Sequence, residues 1–319
     1  MWEKKKQHVV PKVYLKWFCN NKWLLNFYDR ETWKYKEQRP ENVWWIKHFY
    51  TIVWNEWEKD FSIEDFFSNE IENDIWNIFQ KINKYEDLTI DEKDKLALFV
   101  TFQFLRTEVF RNWINKDIEY MMEWNHKIIC STDKYLKWHI NKYEEKTWKK
   151  FPLTEEEYKN IYINFEIKAT NVESINMMMY LPVLLYAIVR KKNWYFFVAP
   201  KNSSFITSDN PFASINMWKD FWPFGSWWFL NKDLWHYIPL TEHICLHFDW
   251  IIKDSEWEIV YSKTDRNKMK SYNSLIANCS YRYIIWKDKR LIESIIKRTK
   301  IKDKEFYDPN IISWPLWTR

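Results

Sequence analysis

Residues 24–39 read LLNFYDRETWKYKEQR, and the fold turns on how this stretch is divided. Leu24 to Asp29 and Lys34 to Arg39 read as two strands, joined through Arg30-Glu31-Thr32-Trp33. A hairpin loop of this length wants a positive φ just before the return strand, a place suited to glycine and poor for a bulky side chain. Trp33 stands there. Trp23, after Asn20-Asn21-Lys22, and Trp257, after Asp254-Ser255-Glu256, occupy the same kind of place. The totals agree with these contexts: glycine occurs once, at Gly225, and tryptophan 24 times in 319 residues, close to the roughly 7% that glycine usually takes. The pairs Trp44-Trp45 and Trp227-Trp228 would make better sense as flexible glycine pairs. The reading that fits is a codon that the organism takes as glycine and that stands here as tryptophan. Trp194, at the head of the apolar strand Tyr195–Ala199, is the residue expected to be a true tryptophan. The 24 tryptophans are therefore no ground for inferring stacking platforms for nucleic acid or sugars.

Outward from the hairpin, the first 60 residues are rich in strand and loop signals. Residues 61–85 change to helical spacing, with Ile63, Phe66, Phe67, Ile71, Ile75, Ile78, Phe79 and Ile82 on one stripe and Ser62 with Asp65 resembling a capping box. The strongest helix runs from Asp91 to Ile114, with Thr89 as its N-cap and acidic residues in its first turn. Helical periodicity continues over Asp117–Ile129 and Lys134–Glu145. Thr154, with Glu157 three residues on, opens a further helix, and another covers Val172 to Arg190. Strand signals return at Tyr195–Ala199, Ser204–Thr207, Ile244–Phe248, Glu258–Tyr261 and Arg282–Trp286, with a helix over Asp265–Asn278. This segregated order predicts an α+β fold: a strand-rich N-terminal segment, a central helical bundle, and C-terminal antiparallel strands packed on helices. One compact domain is expected over residues 1–300, with 301–319, which contain Pro309 and Pro315, as a tail.

The composition bounds the function classes. Hydrophobic residues at 46% and charged residues at 29% are globular values and exclude bulk disorder. A net charge of +5, with Lys, Ile and Asn abundant throughout, fits A/T-rich coding better than a nucleic-acid footprint. Cys19, Cys130, Cys245 and Cys279 form no CxxC pair, so neither a zinc signature nor a dense disulfide framework is expected. The basic N-terminus has no apolar stretch behind it, which argues against a signal peptide. Met177 to Val189 is an apolar run of 13 residues containing Pro182, short enough to read as a core helix. The expectation is a soluble cytoplasmic protein with no membrane partner.

Several residues could carry chemistry. Gln103 and Arg106 lie one helical turn apart and share a face with apolar neighbours. A guanidinium in such a setting needs an anionic partner, either an internal carboxylate (Glu72 or Asp209) or a bound phosphate or carboxylate. Ser208-Asp209-Asn210-Pro211 closes a short apolar strand. Its side chains can cap a local turn, and a carboxylate at a strand end is also placed for a metal ion or to act as a general base. His8 precedes a strand and could titrate near neutral pH and serve as acid, base or ligand, with a structural role as the alternative. His48, His243 and His247 lack HExxH spacing, so a zinc-protease reading fails. GxGxxG, Walker and GxSxG patterns are absent even when every Trp is read as Gly. No metal site is predicted and no cofactor is assigned.

Seven segments taken together carry a resemblance. They are HVVPKVYLKWF (His8 to Phe18), in which a Tyr-Leu strand follows the Pro, WIKHFYTI (Trp45 to Ile52), IEN (Ile71 to Asn73) and QFLRT (Gln103 to Thr107). FITSDNPF (Phe205 to Phe212), IPLTEHICLHF (Ile238 to Phe248) and the stretch from Asn273 to Tyr283 complete the set. In this order the chain resembles the bacterial family known as domain of unknown function 4238, over nearly its whole length. Glu108 departs from it, standing where a Pro would follow Arg-Thr. The resemblance implies the fold and the site residues and carries no reaction with it. The reading taken forward is a polar pocket with His8, Asp209 and Glu72 as catalytic groups and Gln103, Arg106 and Asn210 as ligand-binding groups. It would hydrolyse a phosphodiester or nucleotide, with a nucleotide or nucleic acid as the anionic ligand. The alternative is a non-catalytic binding or regulatory module, for instance defence-associated, in which the same residues form a buried scaffold.

Overall fold

In the computed structural model the described residues are 6–55, 58–164, 166–216, 234–249, 259–287 and 289–299. The hairpin forms as the sequence reads: Leu25–Asp29 pairs antiparallel with Lys34–Gln38, with Leu25 opposite Gln38 and Asp29 opposite Lys34. Trp33 takes a φ of 59°. What the local sequence does not convey is the hairpin's partner. Leu25–Asp29 also pairs with Tyr283–Trp286, more than 250 residues later, and that strand takes Thr207–Ser208 on its other edge. The result is a four-stranded antiparallel sheet drawn from both ends of the chain.

A second sheet has five strands in the order Ile259–Lys263, Asn193–Val198, Ile244–Asp249, Leu234–Pro239, Ala213–Asn216. Its pairs are antiparallel except the first, which is parallel. Two short ribbons accompany the N-terminal segment: Lys6–His8 with Trp45–Lys47, and Ile52–Asn55 with Glu58–Asp60. The architecture is α+β with antiparallel sheets and helical core segments, as the order of signals predicts. Residues 12–15, inside the segment read as a Tyr-Leu strand, are instead helical, and they bury Tyr14 and Leu15.

Backbone packing gathers the chain into two compact units, residues 1–110 with 178–319 and residues 111–177, a division that the sequence reading does not draw. In the second unit the helix Asp133–Thr147 buries Leu136, and Thr132 accepts the Tyr135 amide at its N-cap. Thr154 and Glu157 form the expected capping box, and His126 bonds the Tyr158 carbonyl at 2.7 Å.

In the first unit three helix boundaries matter for the site. The single helix read over 61–85 is broken: Ser62–Phe66 passes into a π-helical turn, Phe67–Ile71, and a fresh helix starts at Ile75. Ser62 is the first helical residue and not its cap, so the expected capping box there is not formed. The helix read from Asp91 to Ile114 has the expected N-cap at Thr89, which forms a full capping box with Glu92, but it stops at Leu105. A second helix begins at Glu108, and the Thr107 hydroxyl accepts the Phe110 amide at that restart. The period of apolar residues runs unbroken through both junctions, so spacing alone could not locate them. Lys289–Thr299 is a helix not read from the sequence; it buries Ile292, Ile295 and Ile296 against the Tyr28 and Ile284 side of the four-stranded sheet.

The apolar run at Met177 belongs to the helix Asn171–Arg190, which by length and composition alone could cross a membrane. It buries Met178, Leu185 and Val189, while Tyr180, Val183 and Leu184 are exposed, so it is a core helix on one face only. The predicted turn at Trp257 and the tail at 301–319 lie outside the described residues.

The four-stranded sheet is fastened at Asp29, whose side chain is fully buried. Arg282 donates to both its oxygens at 3.0 Å, and Lys36 donates at 2.8 Å. Burial disfavours the charge, but the hydrogen bonds from Arg282 and Lys36 outweigh it and hold the carboxyl well below the usual carboxylate range. A carboxylate whose pKa is depressed by folding stabilises the fold above its unfolded value of about 4, and that contribution is lost as the pH falls further. Asp29→Asn should therefore lower the melting temperature at pH 7, and the gap between variant and parent should close on acidification below about pH 4. Melts across pH 2–7 check this; a gap constant with pH would remove Asp29 as the anchor.

Candidate functional site

Where the helix Ile90–Leu105 ends, its last turn presents Arg106, whose amide still bonds the Phe102 carbonyl at 3.0 Å. The guanidinium is 2% exposed. Its Nε donates to the Val9 carbonyl at 3.0 Å and its Nη1 to Glu72 Oε1 at 2.9 Å, and the group lies over the Phe67 ring, 5.1 Å from its centroid. The π-helical turn matters here, because it ends at Ile71 and leaves Glu72 at the bend that faces Arg106. Glu72 itself reaches solvent. Nη2 of Arg106 is buried and has no hydrogen-bond partner among the described residues.

His8 ends the strand Lys6–His8, one residue before the carbonyl that Arg106 binds. Partial burial and the positive charges of Lys12 and Arg106 push its pKa down to about 4, so the imidazole is neutral at neutral pH. Its Nε2 is buried without a partner. Gln103, one turn before Arg106, is 1% exposed, and neither of its amide atoms has a partner. A buried polar atom left unpaired costs about 1–3 kcal/mol, and here four such atoms belong to three residues around the same helix end. Tyr50, which the sequence reading quoted only within WIKHFYTI, donates to the Arg106 and His8 carbonyls at 3.3 and 3.5 Å. Gln7 ties this edge together by accepting the Tyr50 amide and donating to Thr51. Tyr50 and Gln7 carry no local signal that sets them apart from core residues.

Asp209 and Asn210 make their hydrogen bonds elsewhere. The Thr207–Ser208 pairing with Tyr283–Trp286 sets Asp209 beside three successive amides, Tyr281, Arg282 and Tyr283, which donate to it at 2.9, 2.6 and 3.0 Å. Burial pushes this carboxyl up to about 6, against those three amides and nearby Arg30, which hold it down. Asn210 donates to the Cys279 carbonyl, and its own backbone is closed by the Ser208 hydroxyl. Neither bonds Arg106, Gln103 or His8. By their hydrogen-bond partners the six residues fall into two sets. His8, Glu72, Gln103 and Arg106 surround one helix end, while Asp209 and Asn210 clamp the 279–283 backbone. Among the described residues no group of three or more His, Cys, Asp or Glu is placed to hold a metal ion.

A third buried polar group, unread in the sequence, lies on the five-stranded sheet. Ser214 Oγ meets His236 Nδ1 at 2.8 Å, and His247 Nδ1 meets the His236 carbonyl at 3.1 Å. Burial, with the Lys192 charge, lowers the pKa of both histidines, that of His247 to about 4.

The family model for a protein of unknown function (DUF4238) matches residues 6–290. The chain belongs to that family. The matched range takes in the strand bearing His8, the Arg106 helix and the Asp209 clamp. No curated protein and no solved structure matches the chain.

Removing the Arg106 guanidinium leaves Glu72 and the Val9 carbonyl without their donor and opens space beside Phe67. Arg106→Ala should cost on the order of 3 kcal/mol in chemical denaturation, against about 0.5 kcal/mol or less for an exposed residue such as Lys127. Arg106→Lys should recover little, because an ammonium cannot span Val9 and Glu72 as the guanidinium fork does. Equal stability of the Arg106→Ala and Lys127→Ala proteins would take Arg106 out of the framework.

Proposed function

We propose that the helix end bearing Gln103 and Arg106, with His8 and Glu72, binds an anionic, phosphate-bearing ligand, a nucleotide or a strand of nucleic acid. The observation that carries the proposal is the set of buried atoms without partners: Arg106 Nη2, His8 Nε2 and both amide atoms of Gln103. Fully paired networks stiffen a core, but a partly paired one is costly unless something completes it. Arg106 Nη2 and Gln103 Nε2 are donors, suited to phosphate oxygens; Gln103 Oε1 and neutral His8 can accept from a base, a sugar hydroxyl or a water. Glu72, partly exposed, would give the ligand its way in and hold the guanidinium in plane.

Binding is better supported than chemistry. With Asp209 held by the 281–283 amides, hydrolysis of a phosphodiester would rest on His8 as the proton acceptor, a weak base at a pKa of about 4. The second reading, a non-catalytic binding or regulatory module with these residues as scaffold, is favoured by the Arg106–Glu72 ion pair, which already supplies the charge with a partner.

Gln103→Leu separates the two. Removing two unpaired polar atoms should stabilise the ligand-free protein by about 1 kcal/mol or more on either reading. Only on the ligand reading should it also abolish the rise in melting temperature produced by inorganic phosphate, ATP or single-stranded oligonucleotides, each tried with and without divalent metal. If none of these probes shifts the melt of the parent protein and none is cleaved, the ligand reading falls.

A further inference from the structure

We infer that the protein made in its own organism carries glycine at positions 23, 33, 44 and 148, where tryptophan is written here. The backbone supplies the argument. Among the described residues, seven that are not glycine have a positive φ: Trp23, Trp33, Trp44, His48, Tyr85, Trp148 and Asn202. Four of these are tryptophan, a residue that makes up 24 of 319 positions. At that frequency it would occupy one of the seven at most, and a bulky ring is among the worst occupants of the left-handed region.

Each position belongs to a local structure that asks for glycine on its own account. Trp23 closes a turn in which its amide bonds the Asn20 carbonyl at 2.9 Å. Trp33 is the last loop residue before the return strand of the hairpin. Trp148 caps the helix Asp133–Thr147 with φ 57° and ψ 22°, and its amide bonds the Glu144 carbonyl, the arrangement in which glycine commonly ends a helix. Trp44 turns the chain into the strand Trp45–Lys47 and accepts the Val9 amide at 3.0 Å. The side chains at two of the four do nothing for the fold: Trp23 is 60% exposed and Trp148 92%.

Trp194 shows what a tryptophan selected for its side chain looks like in the same chain. It lies in a strand, is 3% exposed, and its indole N–H donates to the Val189 carbonyl at 3.0 Å. Buried tryptophans usually find such a partner. The buried indole N–H groups of Trp17 and Trp286 have none among the described residues. The substitution is thus selective by position, as expected of one codon read as glycine while another remains tryptophan.

The inference also bears on the candidate site. Trp45 stands directly opposite His8 in the Lys6–His8 ribbon, so the two side chains share a face. If position 45 follows its neighbour, the imidazole faces open ground where an indole now stands, and binding measurements belong on the glycine form.

The test is peptide mass spectrometry on the protein isolated from the cells that make it. Tryptic peptides 23–30 and 37–47 should carry glycine at positions 23 and 44, while peptide 193–201 should keep tryptophan at 194. Tryptophan at 23 and 44 in the natural peptides would overturn the inference. As a second measurement, recombinant protein with W23G and W148G together should melt at a higher temperature than the chain as written, since both indoles are exposed and both backbones are left-handed. A lower melting temperature would show that the fold was built around these indoles.

Discussion

One buried guanidinium joins the parts of this fold that are furthest from obvious neighbours. Arg106 bonds the first strand through the Val9 carbonyl, the broken helix through Glu72, and the Phe67 ring through its face. Val9 directly follows the N-terminal strand, Phe67 opens the π-helical turn and Glu72 directly follows it, and the polar contacts are made where regular elements stop. A strand ends at His8, a π-helical turn ends at Ile71, and a helix ends at Leu105. Helix ends leave backbone groups unpaired, and a residue at such an end can turn its side chain out of the helical stripe. The interruption of two helices that looked continuous is therefore what makes the cluster possible.

The carboxylates form a second fastening with a different task. Asp29 grips the Arg282 side chain and Asp209 grips the backbone of residues 281–283, one from each side of the same strand entry. Both charges are buried, and both are accounted for by donors, Asp29 by side chains and Asp209 by amides. The two environments drive them apart in pKa, Asp29 down and Asp209 up to about 6. A carboxylate that accepts three amides has little left to offer a substrate. That satisfaction distinguishes Asp209 from Gln103 and His8, whose buried polar atoms remain unpaired. Asp209 is thus satisfied as framework, while the proposed ligand site rests on the atoms left unpaired.

Much of the fold was legible because it depends on short-range chemistry. The turn of the hairpin, the N-cap at Thr89 and the capping box at Thr154 rest on residues within a few positions of each other. The positive φ at Trp23 and Trp33 was legible for the same reason, since the turn fixes the backbone whatever letter stands in it. The breaks at Glu72 and Arg106 were not, because the apolar stripe continues across them and gives the same burial pattern to one long helix or two short ones.

The sequence by itself determined most of the element types, the α+β class, the turns in which Trp23 and Trp33 take a positive φ, and the candidacy of His8, Glu72, Gln103 and Arg106. Those features follow from propensity, periodicity and the cost of burying a charge, all of which act locally or through composition. Only the tertiary structure decided which candidates belong together. Strand pairing between residues 25–29 and 283–286, and the 207–208 edge beside it, carried Asp209 to the 281–283 amides. Arg106 instead found Glu72, 34 residues before it in the chain. Both outcomes depend on contacts between distant segments, whose free energy lies in packing and strand registry that no window of sequence contains.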